Sequence, residues 1–250
     1  MAVIIKSERE ISLMRDAGKI LGEVHAKLGE FVKPGISTLE VDKYGEKLIR
    51  DYNCIPNFLN YNGFPASICV SVNEEVVHGI PKAHKMLKEG DIVSLDAGLI
   101  YKGYHSDAAR THGVGKICAE YQELIDRTEK SFFEGIKKAV AGNRLYDISA
   151  AIDDYISQFG YGIVTELVGH GIGKDLHEDP QIPNFRQPRR GMVLRKGMAL
   201  AIEPMINLGR SDVDWLDDDW TVVTEDRKVS AHYENTVIIS DGEPEVITLV

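Results

Sequence analysis

What most constrains the fold of this 250-residue chain is that it repeats itself. Gly35 and Gly142, Ile49 and Ile156, Leu87 and Leu194, Gly90 and Gly197, and Asp96 and Glu203 pair off in order, each pair 107 residues apart (142 less 35). The segments 87–96 and 194–203 share a leucine, a basic residue, a glycine and an apolar run ending on an acid. Recurring patterns in one order predict two alike structural units. In the first unit, Ser7-x-x-Glu10 and Ser37-x-x-Glu40 are capping boxes, where serine and glutamate satisfy free backbone N–H groups at a helix start. Ile11, Met14, Leu21, Leu28 and Phe31 follow at helical spacing until Pro34-Gly35 breaks the pattern. The second unit predicts helices over residues 121–140 and 145–159, stopped by Gly142 and Gly160. Strands are expected over residues 67–72, 91–99, 104–114, 198–205, 221–224, 232–239 and 245–249, with a turn at Lys102-Gly103. The expected class is therefore α/β in the α+β sense. Two helix–helix–antiparallel-sheet units, roughly 7–115 and 116–250, form one domain over 1–250 with a pseudo-two-fold axis.

The repeat sets an acid at the same point of each half. On the first strand Ser94, Asp96 and Gly98 share one face, because side chains alternate. A hairpin through Lys102-Gly103 is expected to bring Asp107 roughly opposite Asp96, and directly paired positions sit about 4.5–5.5 Å apart at Cβ. Two carboxylates that close repel unless a proton or cation lies between them. The second half follows the same logic, with Ala199, Ala201 and Glu203 on one face and His232, Glu234 and Thr236 on another. Between them runs the glycine-rich segment 169–180, with His170 and His177 seven apart; this spacing does not suit a helical zinc pair, so the segment is expected to be a loop lining a cleft. Asp96, Asp107, His170, Glu203 and Glu234 thus form a candidate ligand set rich in oxygen and without sulfur. Such a set suits Mn²⁺, Fe²⁺ or Co²⁺, with zinc possible, and four carboxylates call for two ions rather than one. His25, His84, His105 and His112 are expected to be structural.

Charge and composition exclude other classes. A net charge of −10 lacks the basic footprint of a nucleic-acid binder. No apolar run reaches the roughly 18 residues of a membrane helix, and the start Met-Ala-Val-Ile-Ile-Lys-Ser-Glu is unlike a signal peptide. Three widely spaced cysteines, Cys54, Cys69 and Cys118, point to free thiols in a reducing cytoplasm.

The stretches Asn73-Glu74 with Val77-His78-Gly79-Ile80-Pro81, Gly90-Asp91-Ile92-Val93-Ser94-Leu95-Asp96, His105-Ser106-Asp107, Gly169-His170-Gly171-Ile172-Gly173, Leu176-His177-Glu178-Asp179-Pro180, Ile202-Glu203-Pro204-Met205 and Tyr233-Glu234-Asn235-Thr236 resemble the type I methionine aminopeptidases over nearly the whole chain. The resemblance implies the pita-bread fold and two divalent ions, bridged by Asp107 and Glu234, with Asp96 on one ion and His170 and Glu203 on the other. It also implies removal of N-terminal methionine from peptides and nascent proteins, preferably before a small second residue. Glu203 would shuttle the proton, His177 steady the oxyanion and His78 contact the substrate amide, as catalytic and substrate-binding groups. Tyr61, Phe64, Cys69 and Trp220 would line the methionine pocket. Here the chain departs from the commonest pattern: Leu176 stands where an aromatic is usual, Phe58 where a small residue or cysteine is, and Phe64 where tyrosine is common. A cytoplasmic monomer touching ribosomes only transiently is expected. The alternatives are a prolidase or Xaa-Pro aminopeptidase of the same fold, which usually carries an additional N-terminal domain, and a catalytically silent binding protein that keeps the fold.

Overall fold

A computed structural model describes residues 3–249; Met1 and Ala2 of the N-terminal reading, and Val250, lie outside the described residues. Both capping boxes form. Ser7 starts helix α1 (Glu8–Phe31) and Ser37 starts α2 (Thr38–Asp51), each with the serine side chain and the glutamate three residues on bonded reciprocally to the backbone. The apolar stripe of α1, including Ile11, Met14, Leu21, Val24 and Leu28, is buried. The second pair comprises α3 (Ala119–Ile136) and α4 (Leu145–Ile156), the latter followed by a short 3₁₀ turn, Ser157–Phe159, and Gly160 at φ +73°. The expected first helix of this pair therefore ends four residues early, where the chain turns into an isolated bridge between Val140 and Ser240.

Among the described residues the helices cover one large sheet of nine strands. Its first half is the hairpin of Ile92–Tyr101 and Tyr104–Gly113, joined through Lys102-Gly103 and edged by Ile68–Val72. Its second half contains Ala199–Ile202, Glu234–Ile238 and Gly169–Gly171. The halves meet where the Glu234 strand pairs with the Asp107 strand. Each half carries its own apolar core. Leu21, Leu28, Ile49, Leu95 and Leu99 pack together in the first, and Phe132, Ile148, Ile152, Leu200 and Val237 in the second. The repeat extends to backbone conformation: Gly35 and Gly142 take φ +88° and +93°, and Gly90 and Gly197 take +92° and +85°. All four turns need the left-handed region, which glycine enters without steric cost.

Four sequence expectations differ from the structure. The expected strand 198–205 is broken after Ile202, since Pro204 has no N–H to give a ladder, and the chain continues as Met205–Asn207 in a separate three-stranded sheet. The expected strand 232–239 breaks likewise, leaving Ser230–His232 in that small sheet and Glu234–Ile238 in the large one. Glu203, His232 and Glu234 thus cluster where two strands change sheets together. The third is segment 169–180, which is not all loop: Gly169–Gly171 and Glu178–Ile182 pair as strands, and residues 172–177 connect them. The last expected strand shortens to Glu245–Val246.

Candidate metal centre

One face of the large sheet gathers the five candidate ligands. The hairpin register pairs Asp96 with Ala109 and Gly98 with Asp107. Asp107 is therefore not directly opposite Asp96, as expected, but diagonal to it on the same face; diagonal neighbours lie about 7–8 Å apart, leaving room for something between them. Across the next ladder Ala109 pairs with Glu234. The register Asn235–Ile202 and Thr236–Ala201, continued by one residue, sets Glu203 beside Glu234. His170 pairs with Ala201. Gly98, Ala109 and Ala201 alternate with the acids, so small side chains keep this face hollow. The glycines flanking His170 are required by crowding: a Cβ on Gly169 would lie 2.4 Å from the Ala201 carbonyl oxygen, and one on Gly171 would lie 2.2 Å from that of Asp179.

Atoms of Asp107, His170 and Glu234 lie within 4.8 Å of one another. His170 Nε2 stands 4.0 Å from Asp107 Oδ2 and 3.7 Å from Glu203 Oε1. His170 Nδ1 lies 2.9 Å from the Gly171 carbonyl oxygen. A carbonyl only accepts, so Nδ1 carries the proton and Nε2 presents its lone pair to the acids, the usual arrangement of a ligating histidine. Burial, then the neighbouring His177, hold the His170 pKa down to about 3, so the ring is neutral at physiological pH. Burial pushes Asp96 up to about 7. Asp107, Glu203 and Glu234 are driven well above the ordinary carboxylate range, first by burial; the charge of Asp96 adds to all three, that of Glu203 to Asp107 and Glu234, and that of Asp107 to Glu234. Among the described residues, Asp96 Oδ1, Asp107 Oδ1 and Glu234 Oε1 are buried without a hydrogen-bond partner. Buried carboxylates in this state are costly unless cations neutralise them. The donor set and its orphaned oxygens fit divalent ions.

Beside the acids lies a cavity of about 190 Å³, lined by Asp96, Asp107, His170, Glu203 and Glu234 together with apolar groups. Tyr61, Phe64, Cys69 and Trp220 all line it, as do His78 and His177. Phe64 meets Trp220 edge-on at 5.1 Å between ring centres. Trp220 is set by a turn in the acidic stretch 212–219, where Asp218 accepts from the backbone N–H groups of Trp220 and Thr221 at 3.2 and 2.8 Å. The Tyr61 hydroxyl lies 2.8 Å from His177 Nδ1. His78 has φ +58°, a strained conformation for a residue with a side chain. Phe58 and Leu176, noted in the sequence only as departures from a pattern, line the same cavity. His232 was not among the sequence-derived site residues; its two-residue alternation with Glu234 was the available signal. Its Nε2 lies 3.8 Å from Glu203 Oε2. Of the histidines expected to be structural, His25 is buried with Nε2 2.8 Å from the Ala108 carbonyl, while His84 is exposed.

The model of metallopeptidase family M24 matches residues 12–241. A methionine aminopeptidase from Clostridium acetobutylicum is 54% identical over 247 residues, which cover 99% of each chain. The chain belongs to the methionine aminopeptidases of metallopeptidase family M24. Its fold agrees with that placement. The crystal structure of methionine aminopeptidase from Thermotoga maritima superimposes with a TM-score of 0.97 at 40% identity, over the whole of both chains. Among M24 enzymes of other specificity, a Xaa-Pro dipeptidase from Bacillus anthracis gives 0.79 at 28% identity; the match covers 98% of this chain but 61% of that one. The duplicated pita-bread architecture is thus shared across the family.

Proposed function

We propose that this member of the M24 methionine aminopeptidases removes N-terminal methionine from peptides and nascent proteins, preferably before a small second residue. The observation that carries the proposal is a single cavity lined both by the five metal-ligand candidates and by Phe58, Tyr61, Phe64, Cys69, Leu176 and Trp220. At about 190 Å³ it is smaller than the roughly 300 Å³ of sites that enclose a drug-sized ligand, and suits one side chain. Asp96, Asp107, His170, Glu203 and Glu234 would hold two divalent ions, among which Mn²⁺, Fe²⁺ and Co²⁺ suit the oxygen-rich set and zinc remains compatible. Such ions supply a Lewis acid for the scissile carbonyl and favour ionisation of water near neutral pH.

The protein's own groups do the rest. The apolar wall seats the methionine side chain and excludes water, which fixes the first peptide bond beside the carboxylates. Glu203, raised well above the usual carboxylate range by burial, takes a proton from the attacking water and returns it to the leaving amine. His177, held at the cavity mouth by Tyr61, donates from Nε2 to the carbonyl oxygen as it gains charge. His78 contacts the first peptide amide. In this reading residues 1–250 form one catalytic domain whose halves, 7–115 and 116–250, each contribute acids. The enzyme works as a cytoplasmic monomer with at most transient ribosome contact. Among the described residues no helix is long and apolar enough to cross a membrane.

The test uses metal-stripped protein with Mn²⁺, Fe²⁺ or Co²⁺ restored, on Met-Ala-Ser and Ala-Pro-Ala in parallel. Metal-dependent release of methionine alone is expected. Cleavage before proline would overturn the assignment of the pocket, and binding of metal without any cleavage would make the chain a silent binding protein.

A further inference from the structure

His232 is a buried histidine that the mechanism above does not use. Its backbone is fixed from several sides. The N–H donates to Thr111 Oγ1 at 2.9 Å, and the carbonyl accepts from the same hydroxyl at 2.9 Å. His232 pairs with Met205 in the three-stranded sheet, and the next N–H, of Tyr233, donates to the Pro204 carbonyl at 3.2 Å. These ties lock His232 to the residues that directly follow Glu203. The residue is 2% exposed, and among the described residues neither ring nitrogen has a hydrogen-bond partner. Buried polar groups left unpaired are destabilising. A buried ring on so fixed a backbone, with both nitrogens unpaired, calls for a use.

The geometry names one. Nε2 faces Glu203 Oε2 at 3.8 Å, while the other oxygen of the same carboxylate, Oε1, faces His170 Nε2 at 3.7 Å. Glu203 thus lies between two histidines with one oxygen toward each. His170 presents a lone pair, because its Nδ1 proton is committed to the Gly171 carbonyl. His232 has no such commitment, so its N–H is free to sit on Nε2. The 3.8 Å gap exceeds the roughly 3.2 Å limit of a good N–H···O bond, so the bond requires the two side chains to draw together.

We propose that His232 is a positioning residue for Glu203, donating from Nε2 to Oε2 and so turning Oε1 toward His170 and the metal centre. This rests on the reading of Glu203 as a ligand and proton carrier given above. A donor to the outer oxygen of a ligating carboxylate sets that carboxylate's orientation, and its loss typically costs roughly 10–100-fold in metal affinity or activity. Glutamine at 232 can present an N–H to the same oxygen; leucine fills similar space and cannot.

The experiment titrates Mn²⁺ into metal-stripped wild type, His232→Leu and His232→Gln by calorimetry and measures kcat and KM on Met-Ala-Ser. In His232→Leu, metal affinity and kcat should fall together by roughly 10–100-fold with KM little changed, and His232→Gln should restore most of both. Wild-type values in a folded His232→Leu, or a His232→Gln as impaired as the leucine variant, would overturn the proposal. Should His232→Leu not fold, the wild-type chain decides it: on loading with diamagnetic Zn²⁺, ¹⁵N NMR should find His232 protonated at Nε2 and hydrogen-bonded, and an unprotonated Nε2 refutes it. A wild type that neither binds Mn²⁺ nor releases methionine would instead sink the peptidase reading itself, whereas one that does both beside an indifferent His232→Leu sinks only the role of His232.

Discussion

Replacing Asp96 with asparagine should stabilise the metal-free chain at pH 8 while crippling its metal binding. Burial raises the Asp96 carboxyl from its ordinary 3.8 to about 7. Below pH 3.8 the group is protonated in folded and unfolded chains alike and opposes nothing. As pH rises from about 4 to 7 the unfolded chain ionises first, and stability present at low pH is lost until the folded group also ionises. The shift of about three pK units, at roughly 1.4 kcal/mol each, amounts to ~4 kcal/mol above pH 7. Part of this is relieved when Asp107, Glu203 or Glu234 holds a proton instead, leaving ~2–4 kcal/mol. Asparagine matches the shape, cannot ionise, and offers an N–H to those neighbours. For a chain of this size the gain corresponds to roughly 5–15 °C in melting temperature. Calorimetric melts of metal-free wild type and Asp96→Asn at pH 4, 6 and 8 measure it: the gap should be small at pH 4 and widest at pH 8. With Mn²⁺ at a hundredfold excess over its Kd, binding adds about 2.7 kcal/mol to wild type, and the order should narrow or reverse. A metal-free Asp96→Asn less stable than wild type at pH 8, or a gap independent of pH, would refute the view that these acids are held together against their own charge.

Three further outcomes separate the roles of neighbouring groups. His177→Ala should keep its metal, read by elemental analysis, yet lose roughly 10²–10³-fold in kcat, the scale of a lost oxyanion donor; loss of metal would make His177 a ligand. Tyr61→Phe removes the hydroxyl 2.8 Å from His177 Nδ1 and retains the apolar ring. It should lower kcat by roughly 3–10-fold, the worth of one hydrogen bond, with KM for methionyl peptides little changed, so a selective rise in KM would place the hydroxyl in the pocket alone. Phe132→Ala opens the second core, where the ring is fully buried. Chemical denaturation should register a loss of about 3–5 kcal/mol, with activity per folded molecule intact.

The two helix starts and the hairpin were legible because each is a local device. A capping box needs four residues, and a strand pattern needs only its own alternation. The ligands were legible because the repeat sets Asp96 and Glu203 at one point of each half, and because the resemblance covered the motifs around all five. The diagonal offset of Asp96 and Asp107 is implied by a two-residue turn at Lys102-Gly103, which pairs Tyr101 with Tyr104 and so Asp96 with Ala109; the roughly direct pairing expected from the sequence is two residues off that register, a shift that leaves the face unchanged. The double break at Pro204 and Tyr233, where two apolar runs that read as continuous strands change sheets, was not legible.

The chain's own order of residues determined that there are two alike halves, where their turns fall and which acids share a face. Those properties follow from backbone sterics, capping and alternation within a few residues. Only the tertiary structure decided how far apart the acids stand, which carboxylate oxygens lack partners, that Phe58 and Leu176 join the apolar wall, and that His232 faces Glu203. Each of these is a contact between residues distant in the chain, set by packing of two cores against one sheet.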